Sequence, residues 1–181
     1  MIEKPHIEAD KFGNKQLIVD GHPFIITGAW AAAQIWSEDK AFPEKNYIPE
    51  EDYIEFIEAS QYCNFTTVGL PFLWSQLEPE KDEYDFSKVD LLIKEAEKRN
   101  MKVVLQFIGF NIASGGINVP SYVQEDPYVF RLKGEDFKGK RADKMICPND
   151  NDTVKREKLA YKKLIEHIFK NDKNTRRPEK R

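Results

Sequence analysis

Five carboxylates crowd into the thirteen residues Trp74-Ser-Gln-Leu-Glu78-Pro79-Glu80-Lys-Asp-Glu-Tyr84-Asp85-Phe86. Paired carboxyl groups can supply the acid and base of a bond-cleaving reaction. Aromatic rings beside them, here Trp74, can stack on the flat faces of a ligand. Glu78 is the acid nearest a strand end. Two roles are open to it: a catalytic carboxylate, or a structural one that orders the turn into the following helix. The second is the stronger expectation, because no partner acid stands out. Glu80, Asp82, Glu83 and Asp85 read as a solvated turn. Other side chains carry little chemistry. His6, His22 and His167 are scattered, so neither a metal site nor a cofactor is expected. Cys63 and Cys147 make no CxxC pair and no disulfide framework. Cys63 follows an apolar helical stripe and is expected to be a small core residue.

The elements that must position Glu78 are legible on both sides of it. Leu17-Ile-Val19 and Phe24-Ile-Ile26 flank Asp20-Gly21, a dipeptide suited to a tight hairpin turn. The second arm is expected to run on into Thr27-Gly28-Ala29-Trp30 as a first core strand. A long connection over 31–48, with Trp36 and Phe42, follows. Glu50, Glu51 and Asp52 favour the positive end of a helix dipole. Tyr53, Phe56 and Ile57 then fall on one face, predicting a helix over 50–62. Thr66-Thr-Val68 predicts a second strand, ending at Gly69-Leu70-Pro71. Ser87-x-x-Asp90 reads as a capping signature before a helix over 87–99, with Val89, Leu92, Ile93 and Ala96 inward and Asn100 as a left-handed stop. Lys102-Val-Val-Leu-Gln-Phe107 predicts a third strand, followed by a Gly/Ser/Asn-rich loop over 109–118. Asp150 or Asp152 can cap a third helix over 152–169, with Val154, Tyr161, Ile165 and Ile168 along one side. Strands alternating with helices predict parallel β/α units. The absence of GxGxxG and Walker motifs argues against a nucleotide site.

The totals fit such a domain. The chain has 181 residues, 40% of them hydrophobic and 12% aromatic, with a net charge of −3. That balance argues against a nucleic-acid-binding protein. No apolar run is long enough to span a bilayer, so no membrane partner is expected and a cytoplasmic location is the default. From Lys170 the text becomes polar and strongly basic, six of the twelve residues 170–181 being Lys or Arg. That stretch reads as a disordered tail. The expected division is an extension over 1–16, a main unit over 17–169 and the tail over 170–181.

The acidic segment resembles the W-x-x-x-E-P-x-x-G-x-[FY]-D-F pattern that follows the second strand in β-galactosidases of glycoside hydrolase families 42 and 35. Leu17-Ile-Val-Asp-Gly-His-Pro-Phe24 is similar to their opening hairpin, and Asn64-Phe-Thr-Thr-Val68 to their second strand. Gly115-Gly116-Ile-Asn-Val-Pro120-Ser-Tyr-Val123 is similar to their G-G-L-P-x-W-L segment, and Cys147-Pro148 sits where they have Ser-Pro. The pattern's glycine is Asp82 or Glu83 here, and the tryptophan of P-x-W is Tyr122. The resemblance implies a (β/α)8 barrel with its site at the strand C-termini. The expected fold is therefore α/β: the first three strand–helix units of such a barrel, preceded by a β-hairpin.

The resemblance also implies two catalytic carboxyls about 5–5.5 Å apart. One belongs to an Asn-Glu pair ending the fourth strand, the other to the seventh strand. No Asn-Glu dipeptide occurs in the chain. The expectation is a truncated fragment with no catalytic residue, inactive alone. Its partner would be a carbohydrate such as a β-galactoside, met by Trp74, Trp30, Phe110 and Asn111. Glu78, Pro79, Asp85 and Phe86 would be a structural motif, with Trp74 either walling the site or filling the core. The alternative expectation is a non-catalytic carbohydrate-binding or oligomerising half-barrel, self-associating through open sheet edges.

Overall fold

The computed structural model describes residues 5–30, 50–109, 119–128 and 146–171. Two sheets are present among them. The first is antiparallel and contains β1 (His6–Ala9), β2 (Lys15–Val19) and β3 (His22–Pro23) in that order. The second is parallel, in the order β4 (Gly28–Trp30), β5 (Thr67–Leu73) and β6 (Lys102–Ile108). The helices are α1 (Glu50–Tyr62), α2 (Trp74–Leu77), α3 (Ser87–Lys98), α4 (Ser121–Gln124) and α5 (Asn151–Asn171).

The hairpin forms where Asp20-Gly21 allows it. Both residues have positive φ, 54° and 79°, which a two-residue hairpin turn of this hand requires. Its second arm is shorter than expected. It pairs only at His22 and Pro23, and the core strand starts afresh at Gly28. Between them Thr66 fastens the chain: its Oγ1 accepts from the Thr27 amide at 3.0 Å and donates to the Ile25 carbonyl at 2.9 Å. Those bonds turn the chain from the hairpin into β4. A strand that the hydrophobic pattern did not announce, β1, pairs antiparallel with β2 across a turn at Asp10, whose carboxylate accepts from the amides of Phe12 and Asn14.

The parallel sheet has one face against helices. Val68 and Leu70 of β5 and Val103 of β6 pack with Tyr53 and Ile57 of α1 and with Leu92 and Ala96 of α3. Burying one aliphatic side chain of this kind stabilises the fold by about 1.5–3 kcal/mol. By alternation, Thr67, Gly69, Pro71 and Leu73 point to the opposite face. α1 ends where Asn64 turns left-handed (φ 56°), and α3 ends at Asn100 (φ 54°). The turn at Asn64 leaves Cys63 exposed, correcting its expected place in the core. β5 also runs further than expected, through Pro71 to Leu73, in register with Gln106 and Ile108.

Two helix details differ from the pattern. Ser87 is the first residue of α3, not its cap; the Asp85 carboxylate accepts from the Ser87 amide at 2.8 Å instead. α5 is capped by Asp150, which accepts from the Thr153 amide at 2.8 Å. Its buried stripe is Thr153, Ala160 and Leu164. Val154, Ile165 and Ile168 are only partly covered and Tyr161 is exposed. The small Ala160 sets this phase by letting the helix approach Val119, Val123 and Ile146. The expected loops over 31–48 and 110–118, with Trp36 and Phe42, and residues 172–181 of the basic stretch lie outside the described residues.

Gly28 faces Thr67 so closely that a Cβ there would lie 2.3 Å from the Thr67 carbonyl oxygen. The neighbour is backbone and cannot rotate away. Gly28→Ala is expected to cost about 1–3 kcal/mol, read as a lower urea midpoint with an unchanged slope.

Candidate functional site

Glu78 stands just past α2, directly after the C-terminal end of β5. It is 3% exposed. A carboxylate so enclosed must find hydrogen-bond donors, and four are supplied. The Trp74 indole N–H donates to Oε2 at 2.8 Å. The Asp82 amide donates to Oε1 at 3.0 Å. The Tyr84 and Tyr122 hydroxyls donate to the same carboxylate. The four donors come from α2, the turn, the stretch after it and α4, so the carboxylate ties together segments that also pack in one core.

The local sequence builds this arrangement. Trp74 and Glu78 are four residues apart, and the Glu78 amide donates to the Trp74 carbonyl at 2.9 Å. One helical turn therefore carries the indole to the carboxylate. The chain then reverses: the Glu83 amide donates to the Glu80 carbonyl at 3.0 Å, with Asp82 left-handed at φ 65°. This backbone conformation aims the Asp82 amide back at Glu78. It also identifies Asp82 as the position that glycine occupies in the pattern W-x-x-x-E-P-x-x-G, since glycine adopts positive φ freely. The Asp85 amide closes the loop on the Leu77 carbonyl at 2.8 Å. Phe86 is held by a parallel stack on His167 of α5, with centroids 4.0 Å apart, and His167 Nε2 lies 2.7 Å from Asp90 Oδ1.

The electrostatics follow from the burial. Desolvation, then the Glu78 charge, pushes the Tyr84 hydroxyl up to about 12. Desolvation and the hydrogen bond to Glu78 raise Tyr122 further, against a small opposing effect from Arg156. Both phenols are therefore held as donors. Asp85, just before α3, is held below the usual carboxylate range chiefly by Ser87.

The expected site residues separate. Trp74 is completely buried and bonded to Glu78; neither ring face is open, so the sugar-stacking role expected of it is corrected to a core role. Trp30 is 43% exposed and lies on the sheet face away from the helices. Its ring covers Gly69, where a Cβ would meet the indole at 2.2 Å. Gly69 thus lets the ring lie flat with one face open. Phe110 and Asn111 lie outside the described residues. Pro79 follows Glu78 at the start of the reversal, and Asp85 and Phe86 hold α3 in place. Tyr122 is a site residue that the pattern did not mark, beyond its standing where P-x-W has tryptophan. No group of three or more acidic, His or Cys side chains among the described residues could hold a metal ion. Nor is any helix among them long and apolar enough to cross a membrane.

Glu78→Ala would leave two tyrosine hydroxyls, an indole N–H and a backbone amide without an acceptor, and is expected to cost at least about 3 kcal/mol. Asp82→Gly is expected to be tolerated, whereas Asp82→Val should cost about 1–2 kcal/mol from left-handed strain; chemical denaturation measures both. The Tyr84 pKa is raised in the fold, so its contribution is full below pH 10 and is lost as pH rises through about 12. A tyrosinate absorbance titration should show Tyr84 moving part of the way back toward 10 in Glu78→Gln, the desolvation remaining.

Comparison with known proteins agrees with this architecture. Residues 43–107 match the family model of glycoside hydrolase family 42, described as beta-galactosidase. No curated protein matches the chain. Among solved structures, the exo-beta-1,4-mannosidase Op5Man5 from Opitutaceae bacterium strain TAV5 superposes with a TM-score of 0.53 at 18% identity. The match covers 90% of this chain and 24% of that one, so the chain spans about a quarter of its length. At that identity the likeness bears on the fold alone. The described strands and helices are thus part of a (β/α)8 barrel, and residues 43–107 are similar to glycoside hydrolase family 42.

Proposed function

We propose that these 181 residues form the strand-one-to-three part of a glycosidase barrel whose substrate is a carbohydrate, a β-galactoside or a related pyranoside. We further propose that they do not hydrolyse it by themselves. The observation carrying this reading is the enclosure of Glu78. The acid of the best motif accepts four hydrogen bonds and is buried, so it is committed to structure. A two-carboxyl mechanism needs one group to protonate the leaving oxygen and another to meet the positive charge growing at the anomeric carbon. In barrels of this kind those groups belong to the fourth and seventh strands, and the chain has no Asn-Glu dipeptide to supply the first. What this segment contributes is part of the pocket wall, with Trp30 as its aromatic face.

A second reading, a non-catalytic carbohydrate-binding or self-associating half-barrel, is favoured by one observation. Val104 of β6 is 45% exposed and stands in register with Gly69 and Trp30. That row of the sheet could meet a ligand or a second copy.

The purified chain is expected to show no turnover of an activated aryl β-galactoside above a blank. Turnover that disappears in Glu78→Gln, with folding retained, would make Glu78 catalytic and defeat the reading. Quenching of Trp30 fluorescence by galactose in the parent, lost in Trp30→Ala, would support the binding role. A sharp dimer in size-exclusion would favour self-association.

A further inference from the structure

The two sides of the parallel sheet carry helices of opposite charge. Among the described residues β4 and β6 are its edges, and β5 between them is buried along its whole length. Parallel sheets are normally covered on both faces, yet β6 alternates exposed and half-buried residues from Lys102 to Phe107. α5 stands over this edge, where the Tyr161 ring meets Phe107 with centroids 5.5 Å apart. The helix turns its other flank to α3 through His167 and Asp90. On the β6 flank Val154, Lys158, Tyr161 and Ile165 follow helical spacing, and none of the four is buried. α1 follows β4 in the chain and faces α3 through Glu58 and Arg99. Its opposite flank is Asp52, Glu55, Phe56 and Ala59, again at helical spacing, with Phe56 half-buried and Glu55 and Ala59 exposed. α1 has five acidic residues and no Lys or Arg. α5 has six basic residues against three acidic ones.

We propose that a second copy of this chain docks here head to tail, its β4 continuing the sheet beside β6 and its α1 lying against α5. The inference rests on the self-associating reading above and gives that contact its geometry. A helix that follows its strand packs beside it, so a parallel continuation of the sheet brings α5 of one copy next to α1 of the other. Tyr161 and Ile165 then cover Phe56, and the small Ala59 lets the helices approach. Lys158 faces the acidic rim at Glu55. Charge selects this pairing over the symmetric ones. α5 against α5 would set Lys158 against Lys158, and α1 against α1 would set acid against acid, which costs several kcal/mol when like charges are juxtaposed. The contact is heterologous: each copy presents α1 on one side and α5 on the other, so association goes beyond two copies unless the rotation closes a ring.

The test is sedimentation velocity of the full chain over a concentration series, for the parent, Glu55→Lys and Lys158→Glu. The parent should associate, and more weakly at high salt. Each variant alone should associate about tenfold more weakly, because its two flanks then carry like charge. An equimolar mixture of the two variants should recover the parent's association, since every contact in it again joins a basic flank to an acidic one. That recovery also shows that both variants are folded. A parent that stays monomeric would overturn self-association itself. A parent that associates while its variants associate equally well would overturn the head-to-tail arrangement alone. So would a mixture no more associated than its components, or a parent whose association is indifferent to salt.

Discussion

The end of β5 depends on one buried carboxylate. Glu78 accepts from an indole, a backbone amide and two phenols, and each donor lies on a different stretch of chain. An unsatisfied carboxylate at 3% exposure would be untenable, so the four donors and the acceptor specify one another. The constraint reaches outward. The Trp74 indole fills the core between α2, α3 and α5. The left-handed residue Asp82 closes the turn. Tyr122 draws in the α4 segment, whose Val119 and Val123 complete the same core. Phe86, next to the turn, meets His167 and so links α3 to α5.

That organisation decides between two uses of an acid at a strand end. A catalytic carboxyl must present an oxygen to substrate and change its protonation during the reaction. Glu78 is not placed to present an oxygen: both accept hydrogen bonds and the carboxylate is enclosed. The turn after β5 is thus braced by a buried, hydrogen-bonded carboxylate. Trp30 is different. Its ring lies flat on Gly69 with a face open to solvent, which is the requirement for stacking on a ligand.

Much of this was legible in the residues, for identifiable reasons. The bounds of α1, α3 and β6 were set by strong local signals: the Glu50-Glu51-Asp52 start, the left-handed Asn64 and Asn100, and an apolar run of strand length; β5 ran on past its expected end to Leu73. A structural place for Glu78 was expected from the turn it opens before α3; the Trp74 indole as its donor was not. What the sequence pattern missed depended on contacts distant along the chain. Ser87 looked like a cap, yet Asp85 reached the helix end first. α5 showed an apolar stripe through Val154 and Tyr161, but Ala160 allowed closer approach and rotated the helix onto Thr153 and Leu164. β1 has no run of apolar residues and forms because β2 offers it an edge. Tyr122 could be found only through its partner, since no local rule places a phenol forty-four residues from the carboxylate that receives it.

The central claim, that Glu78 is a structural acceptor for Trp74, is tested most directly by proton exchange at the tryptophan side chains, followed by NMR. The Trp74 indole proton is buried and bonded to Glu78 Oε2, while Trp30 is 43% exposed. The account predicts that the Trp74 indole proton exchanges only through global unfolding, far more slowly than that of Trp30, and that Glu78→Gln speeds it markedly. Equal exchange at Trp74 and Trp30 in the parent protein would contradict it.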